Sequence, residues 1–376
     1  MTEDGIPEPD RVEGAPHPRD TLHLIGQRGA EAIFLDAYAA GRLHHAWLLT
    51  GPLGVGKATL AWRIVRFLLA TPENAGGGLF GDAPVAPETL DIDPDHPVVR
   101  RIRAGSEGRL FVLRRAWDED KKRLKTVITV DEVRRMRTFL HMSAADGGRR
   151  AVIVDPADEM NTAAANALLK MLEEPPHGVT FLIVSHQPSR LLPTIRSRCR
   201  ELRLSVLAPG DLADAVEAAG AAPEGSDALA VLASGSVGEA IRLANLDGLA
   251  TYGSIVTLFG TLPRLDRPMA LKLAESAAAR GAEDRLDLLL TLMDLFLARL
   301  ARTGALGTAG PEAAPGEAQL LARLSPDPAA GQRWAALHQS LGARARHGHA
   351  VNLDPAALIL DMVLKIDEAA RETVAG

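Results

Sequence analysis

Residues 51–57, Gly-Pro-Leu-Gly-Val-Gly-Lys, constrain the fold of this chain more than any other stretch. Gly51, Gly56 and Lys57 complete the Gly-x-x-x-x-Gly-Lys spacing of a phosphate-binding loop, and Gly54 adds a further flexible point. Such a loop needs a buried strand before it and a helix after it, so that backbone N–H groups and the helix N-terminus converge on an anion. Both flanks are present. Ala46-Trp47-Leu48-Leu49 is a short apolar run of the kind buried in parallel sheets, and Leu60, Ile64, Phe67 and Leu68 recur with a helical period. One residue departs from the pattern: Ala58 stands where Ser or Thr would ligate Mg²⁺. Thr59 follows one position on, about 100° round the helix. It cannot replace the lost hydroxyl, although it can reach an α-phosphate.

A second strand carries the complementary acid. Ala151-Val152-Ile153-Val154-Asp155 is a β-branched run ending in a carboxylate. Alone it also admits a reading as a plain strand-end acid. Downstream of a phosphate loop it takes the form of a Walker B strand, whose Asp holds Mg²⁺. Pro156 follows, with no group that could polarise water; Asp158 and Glu159 are expected to begin the next turn and point elsewhere. Residues 166–176 then give a helix with Leu168, Leu169 and Leu172 on one face, ended by Pro175 and Pro176. Residues 180–184 form another buried strand, which ends at Ser185. The triplet Ser197-Arg198-Cys199 leads into a last strand-like run at 201–204.

The run 166–176 and the Ser-Arg-Cys triplet together closely resemble bacterial clamp loaders of the AAA+ class. Within that group the delta-prime type of the DNA polymerase III holoenzyme fits better than the gamma/tau motors. Ala58 lacks the Mg²⁺ hydroxyl, Pro156 replaces the catalytic Glu, and Gly238 stands where motors place a lid Arg. The resemblance implies an α/β AAA+ core with a parallel sheet, a small helical lid and a C-terminal all-α collar. It implies that Ser185 occupies a γ-phosphate sensor position. It also implies that Gly51, Gly54, Gly56, Lys57, Thr59 and Asp155 line a nucleotide site, in which ATP or ADP with Mg²⁺ is doubtful. Arg198 is the expected catalytic contribution, as an arginine finger acting in trans on a neighbour's ATP. From residue type alone it reads as a surface cation among Arg196, Arg200 and Arg203. The implied partners are gamma/tau-type and delta-type subunits, a sliding clamp, and primer–template DNA through the assembled complex. The competing reading is an active AAA+ ATPase of the motor type.

On this basis residues 1–20, with four prolines and several acids, are expected as a flexible tail. Residues 21–205 form the core, with 71–125 as an insertion. Residues 206–247 are the lid and 248–376 the collar. In the core, Leu24-Ile25-Gly26-Gln27 resembles the segment that lies against adenine in the family, and 129–142 is helical. In the collar, helices are expected at 255–262, 269–279, 284–300, 331–345 and 355–369, the last capped by Asp354, with a loop at 304–315. Many clamp-loader subunits carry a four-Cys Zn²⁺ module between the Walker motifs. Here the only cysteine is Cys199, so no zinc is expected, and His96 with Asp91, Asp93 and Asp95 reads as an acidic turn. The basic stretch 100–125, with Phe111 and Trp117, reads either as a DNA-contacting surface or as the solvated side of a hairpin.

Composition sets the outer bounds. A chain of 376 residues with 47% hydrophobic content can build two or three cored domains. The net charge of −6 argues against a protein that coats nucleic acid. One cysteine and the lack of an apolar signal region lead us to expect a reducing cytoplasm and no membrane.

Overall fold

In the computed structural model, the structure describes residues 7–71, 87–141, 148–221, 225–278, 283–351 and 353–375. The chain divides into two units, Met1–Gly220 with Gly235–Glu239, and Ala221–Ser234 with Ala240–Gly376.

The first unit contains α1 (Arg28–Ala39), β1 (Ala46–Thr50), α2 (Lys57–Ala70), α3 (Pro97–Arg103) and β2 (Leu110–Leu113). Next come β3 (Trp117–Asp118), β4 (Arg123–Leu124), α4 (Val130–His141), β5 (Arg150–Val154) and α5 (Thr162–Glu173). It continues through β6 (Val179–Ser185), α6 (Pro193–Arg196), β7 (Arg200–Arg203) and α7 (Pro209–Ala218). Five strands make one sheet in the order β2-β5-β6-β1-β7, and every pairing is parallel. The three central strands are buried along almost their whole length, which is why they read as unbroken apolar runs. Leu168, Leu172, Val133 and Met136 of α5 and α4 cover one face, packed on Val152, Val154, Phe181 and Ile183. On α1 and α2, Phe34 meets Trp47 at 5.1 Å and Tyr38 meets Phe67 at 4.9 Å between ring centroids.

Two expectations change in this unit. The stretch 71–125 is not wholly an insertion, because α3 and the edge strand β2 belong to the core; only β3 and β4 form a separate two-stranded ribbon. Residues 7–20 are not a free tail. They form turns packed on α2 and on the residues after β2, with His17 buried. Residues 76–78 and Pro84 of the expected loop lie outside the described residues.

The second unit is helical. It holds α8 (Ser226–Ala233) and most of α9 (Val237–Asn245), whose first turn falls in the first unit. It then runs through α10 (Gly248–Gly260), α11 (Arg267–Ala277), α12 (Glu283–Leu306), α13 (Glu317–Leu324), α14 (Pro328–Ala350) and α15 (Pro355–Ala375). Asp354 caps α15 by accepting from the Ala357 N–H at 2.8 Å, while its neighbour Asn352 lies outside the described residues. α12 and α14 approach through Gly304 and Gly331, where a Cβ on Gly304 would lie 2.7 Å from the Gly331 Cα. At the centre, Glu317 is fully buried and accepts from the Tyr252 hydroxyl at 2.6 Å, Arg299 Nε at 2.5 Å and the Ala313 N–H at 2.6 Å. No helix among the described residues is long and apolar enough to cross a membrane.

Candidate functional site at the strand ends

A parallel α/β sheet opens its ligand crevice at the carboxyl ends of its strands. Thr50 of β1 leads into the phosphate loop, Val154 of β5 into Asp155, and β6 ends at Ser185. The predicted loop, acid and sensor residues therefore share one end of the sheet. Gly51, Gly54 and Gly56 adopt φ of 142°, 75° and 97°. Close approach requires glycine at each of them. A Cβ on Gly51 would sit 2.5 Å from the Leu204 carbonyl oxygen, and one on Gly56 would meet Leu24 Cδ1 at 2.6 Å. Gln27 braces the loop by donating to the Val55 carbonyl at 3.2 Å and the Ser205 carbonyl at 2.7 Å. Thr59 sits half-buried in the first turn of α2.

The charged groups of this crevice engage one another. Lys57 Nζ donates to the Gly51 carbonyl at 2.7 Å and also to the Pro52 carbonyl. Burial lowers its pKa to about 8, against the opposing pull of Asp155 and Asp158. Asp155 is buried and its Oδ2 has no hydrogen-bond partner. Burial, and then the negative charge of Asp10, push its pKa up to about 7. Ser185 Oγ donates to Asp158 Oδ1 at 2.7 Å, and the His186 and Gln187 N–H groups donate to Asp158 Oδ2. Contrary to the expectation from sequence, Asp158 therefore points back onto the end of β6. The short 3₁₀ turn at Ala157–Glu159 rotates it back across the end of β6. Burial and the charge of Lys57 hold His186 down at about 4.

Asp10 is the participant that sequence reading missed. Its Oδ1 lies 2.5 Å from Arg114 Nη1, and its Oδ2 lies 3.2 Å from His17 Nε2. Burial alone would raise its pKa, but the adjacent His17 ring and the Arg114 charge hold it at about 2. The only sequence signal was arithmetical: the cations of 100–125 outnumber the acids beside them and need partners elsewhere.

The lid glycine also has a geometric reason. The Gly238 N–H donates to the Gly54 carbonyl at 3.0 Å, and Ser236 Oγ donates to the Leu53 carbonyl at 2.9 Å. A Cβ on Gly238 would lie 2.9 Å from the Gly54 Cα, so a side chain there requires this contact to open. These residues fit a Mg²⁺–nucleotide poorly. Position 58 offers a methyl group, Lys57 is engaged by its own loop, and the acid meant for the metal feels the charge of a second carboxylate. Pro156 gives no base, and residues 236–238 close directly on the loop.

Arg198 lies at the other end of the sheet, in the turn between α6 and β7. Its Nη1 donates to the Thr194 carbonyl at 2.9 Å, and its Nη2 pairs with Glu173 Oε1 at 2.7 Å. Both members of the pair are partly exposed. β7 runs between Arg198 and the phosphate loop, a separation of ~13 Å for its four residues. An arginine side chain cannot span that distance, so Arg198 cannot serve the loop of its own chain.

The remaining candidates resolve locally. His96 Nδ1 accepts from the Val98 N–H at 3.2 Å, capping α3, and Asp91 pairs with Arg63. Among the described residues no cluster of three or more His, Cys, Asp or Glu is placed to hold a metal. In the basic stretch, Arg100, Arg101, Arg109, Arg114, Arg115 and Lys125 all pair with acids of the same chain.

Residues 26–208 match the family model described as "DNA polymerase III, delta subunit". Over 155 residues the chain is 40% identical to the DNA polymerase III subunit delta' of Pseudomonas aeruginosa, covering 41% of each protein. Over 198 residues it is 30% identical to the DNA polymerase III subunit gamma/tau of Mycobacterium bovis, covering 51% of this chain and 30% of that one. The chain thus spans less than half the length of these curated relatives. Among solved structures, a DNA polymerase III gamma subunit-related protein of Thermotoga maritima aligns over 90% of this chain and 99% of its own. Its TM-score is 0.42 and its sequence identity 17%.

Proposed function

We propose, from the match of residues 26–208 to the DNA polymerase III delta-subunit model, that this chain is a clamp-loader subunit of the delta-prime type. In this reading it takes part in DNA replication, assembling with gamma/tau-type and delta-type subunits in the cytoplasm. The assembled complex places a sliding clamp on primer–template DNA. The chain hydrolyses little or no ATP itself and completes the ATP site of a neighbour with Arg198. The position of Arg198 carries this reading. It is held by Glu173 and the Thr194 carbonyl at the sheet end opposite its own phosphate loop, out of reach of that loop. A planar, permanently charged guanidinium suits the charge that develops on a transferring phosphoryl group.

The motor alternative is less well supported. Ala58 and Pro156 lack the two groups that hydrolysis requires, and the Gly54–Gly238 contact leaves no space for a lid cation. The test is DNA- and clamp-stimulated ATPase of the reconstituted complex, with wild-type chain against Arg198→Ala and assembly checked by gel filtration. Turnover at the neighbour's site is expected to fall by ~10³-fold or more, the usual worth of such a finger. Unchanged ATPase in a fully assembled complex would reduce the chain to a scaffold. Brisk ATPase by the isolated wild-type chain would favour the motor alternative.

A further inference from the structure

We propose that residues 7–20 form an intramolecular strap that closes the nucleotide crevice, with Asp10 as its anionic pin. The inference rests on the reading that this site does not turn over nucleotide, and it names the element that closes it.

The strap touches both sides of the crevice mouth. On one side Asp10 binds Arg114, the residue after β2, and its charge acts directly on Asp155, the residue after β5. On the other side Val12 Cγ2 lies 3.6 Å from the Cβ position that Gly238 leaves empty, beside the Gly238–Gly54 contact. The segment therefore crosses the strand ends where a parallel sheet receives its ligand. A nucleotide phosphate held by this loop would meet a fixed carboxylate beside Asp155 and a valine against the lid glycine.

This segment is built into the core. The Asp10 and His17 side chains are 1% and 2% exposed. Burying an acid is costly unless partners compensate it, and here they do so in a network. Glu8 pairs with Arg19 at 2.9 Å and Arg114 at 3.4 Å, while Asp10 takes Arg114 and His17. The His17 ring meets Trp62 of α2 edge-on at 5.7 Å. Arg66 donates to the Arg19 carbonyl at 2.8 Å and the Thr21 carbonyl at 2.6 Å, and Arg63 donates to the Leu22 carbonyl. Residues 17–22 are thus tied to the helix that follows the phosphate loop, and residues 8–12 are the part laid over the mouth.

The test compares the full-length chain with a chain lacking residues 1–12, which retains His17 and the arginine anchors. A fluorescent ADP analogue is titrated by anisotropy, with and without Mg²⁺, and thermal unfolding confirms that both proteins are folded. If the open state is populated at ~1–10%, removing the strap tightens ADP binding by ~10–100-fold. A folded, shortened chain that binds ADP no more tightly than the full-length chain would overturn the proposal. So would a full-length chain that already binds it as tightly as the shortened one. Should the shortened chain not fold, full-length Asp10→Asn combined with Val12→Gly is judged by the same two criteria. ATP hydrolysis measured on the same samples separates the two ideas. Turnover by the full-length chain removes the proposed function, whereas silence in both chains with no gain in ADP affinity removes only the strap.

Discussion

Replacing Asp155 by Asn isolates the most strongly perturbed acid of the crevice. In the folded protein burial and the Asp10 charge raise its pKa from the ordinary 3.8 to about 7. Between those values the folded chain keeps a proton that the unfolded chain has lost. Stability from this group is therefore full below pH 3.8 and is lost as pH rises towards 7. One proton corresponds to ~1.4 kcal/mol for each pH unit, so the whole window has a ceiling of ~4 kcal/mol. Relaxation and water penetration around the ionised carboxylate recover part of it, which brings the expected effect to ~2 kcal/mol. Asn is close in shape to the protonated acid and stays neutral. The variant should match the wild type only below pH ~3.5 and exceed it by ~2 kcal/mol at pH 8. Urea unfolding followed by tryptophan fluorescence suits the measurement, because Trp47, Trp62 and Trp117 all lie in the α/β unit. His186, held down at about 4, titrates with the opposite sign; it is present in both proteins and cancels in the difference. A stability difference that does not change with pH, or a variant weaker than wild type at pH 8, would refute the reasoning. The same measurement bears on function, since an acid half-protonated near neutrality is a poor Mg²⁺ ligand.

Two further substitutions test the packing. Gly238→Arg places a cation at the lid position, yet its Cβ would lie 2.9 Å from the Gly54 Cα. It should lower stability by ~1–3 kcal/mol in urea unfolding, as overpacking does, and should confer no ATPase activity. Glu317→Ala removes the fully buried acid that serves Tyr252, Arg299 and the Ala313 N–H. Leaving the guanidinium uncompensated should cost ~3–5 kcal/mol in the helical unit, and Glu317→Gln should cost clearly less; thermal unfolding separates them.

Local sequence made the phosphate loop, the central strands and the long collar helices legible, because burial on both faces or a 3.6-residue period writes itself into consecutive residues. β1, β5 and β6 needed no partner information to be recognised. β2 was harder. It is four residues long, lies at the sheet edge, and is flanked by Arg109, Arg114 and Arg115, so its surroundings read as a basic loop. The strap was hidden for a related reason. Prolines and acids at 7–20 carry the composition of a tail, and what orders them is pairing with Arg114, about a hundred residues away. Asp158 was misjudged because a single 3₁₀ turn decides the direction of its side chain, and spacing alone does not report that turn. In each case the missing information was a non-local charge pair or a rotation of one residue.

The phosphate loop and the partly exposed Arg198 are joined by one strand. At the C-terminal end of β7 the Leu204 N–H donates to the Thr50 carbonyl at 2.8 Å, and the Leu204 carbonyl packs where Gly51 has no side chain. Within β7, Glu201 accepts from Thr50 Oγ1 at 2.6 Å, and the N-terminal end of the strand follows directly from the Ser197-Arg198-Cys199 turn. A phosphate loop that opened and closed around nucleotide would pull on the same strand that positions Arg198. Here the loop is braced by Gln27 and by residues 236–238, so the strand is held at one end. A finger acts only when placed to within ~0.5 Å of its target, and its placement is best supplied by a rigid element. In the proposed role, therefore, loss of hydrolysis and retention of Arg198 are complementary. On that reading, the contacts that close the phosphate loop also hold the strand that leads back to Arg198.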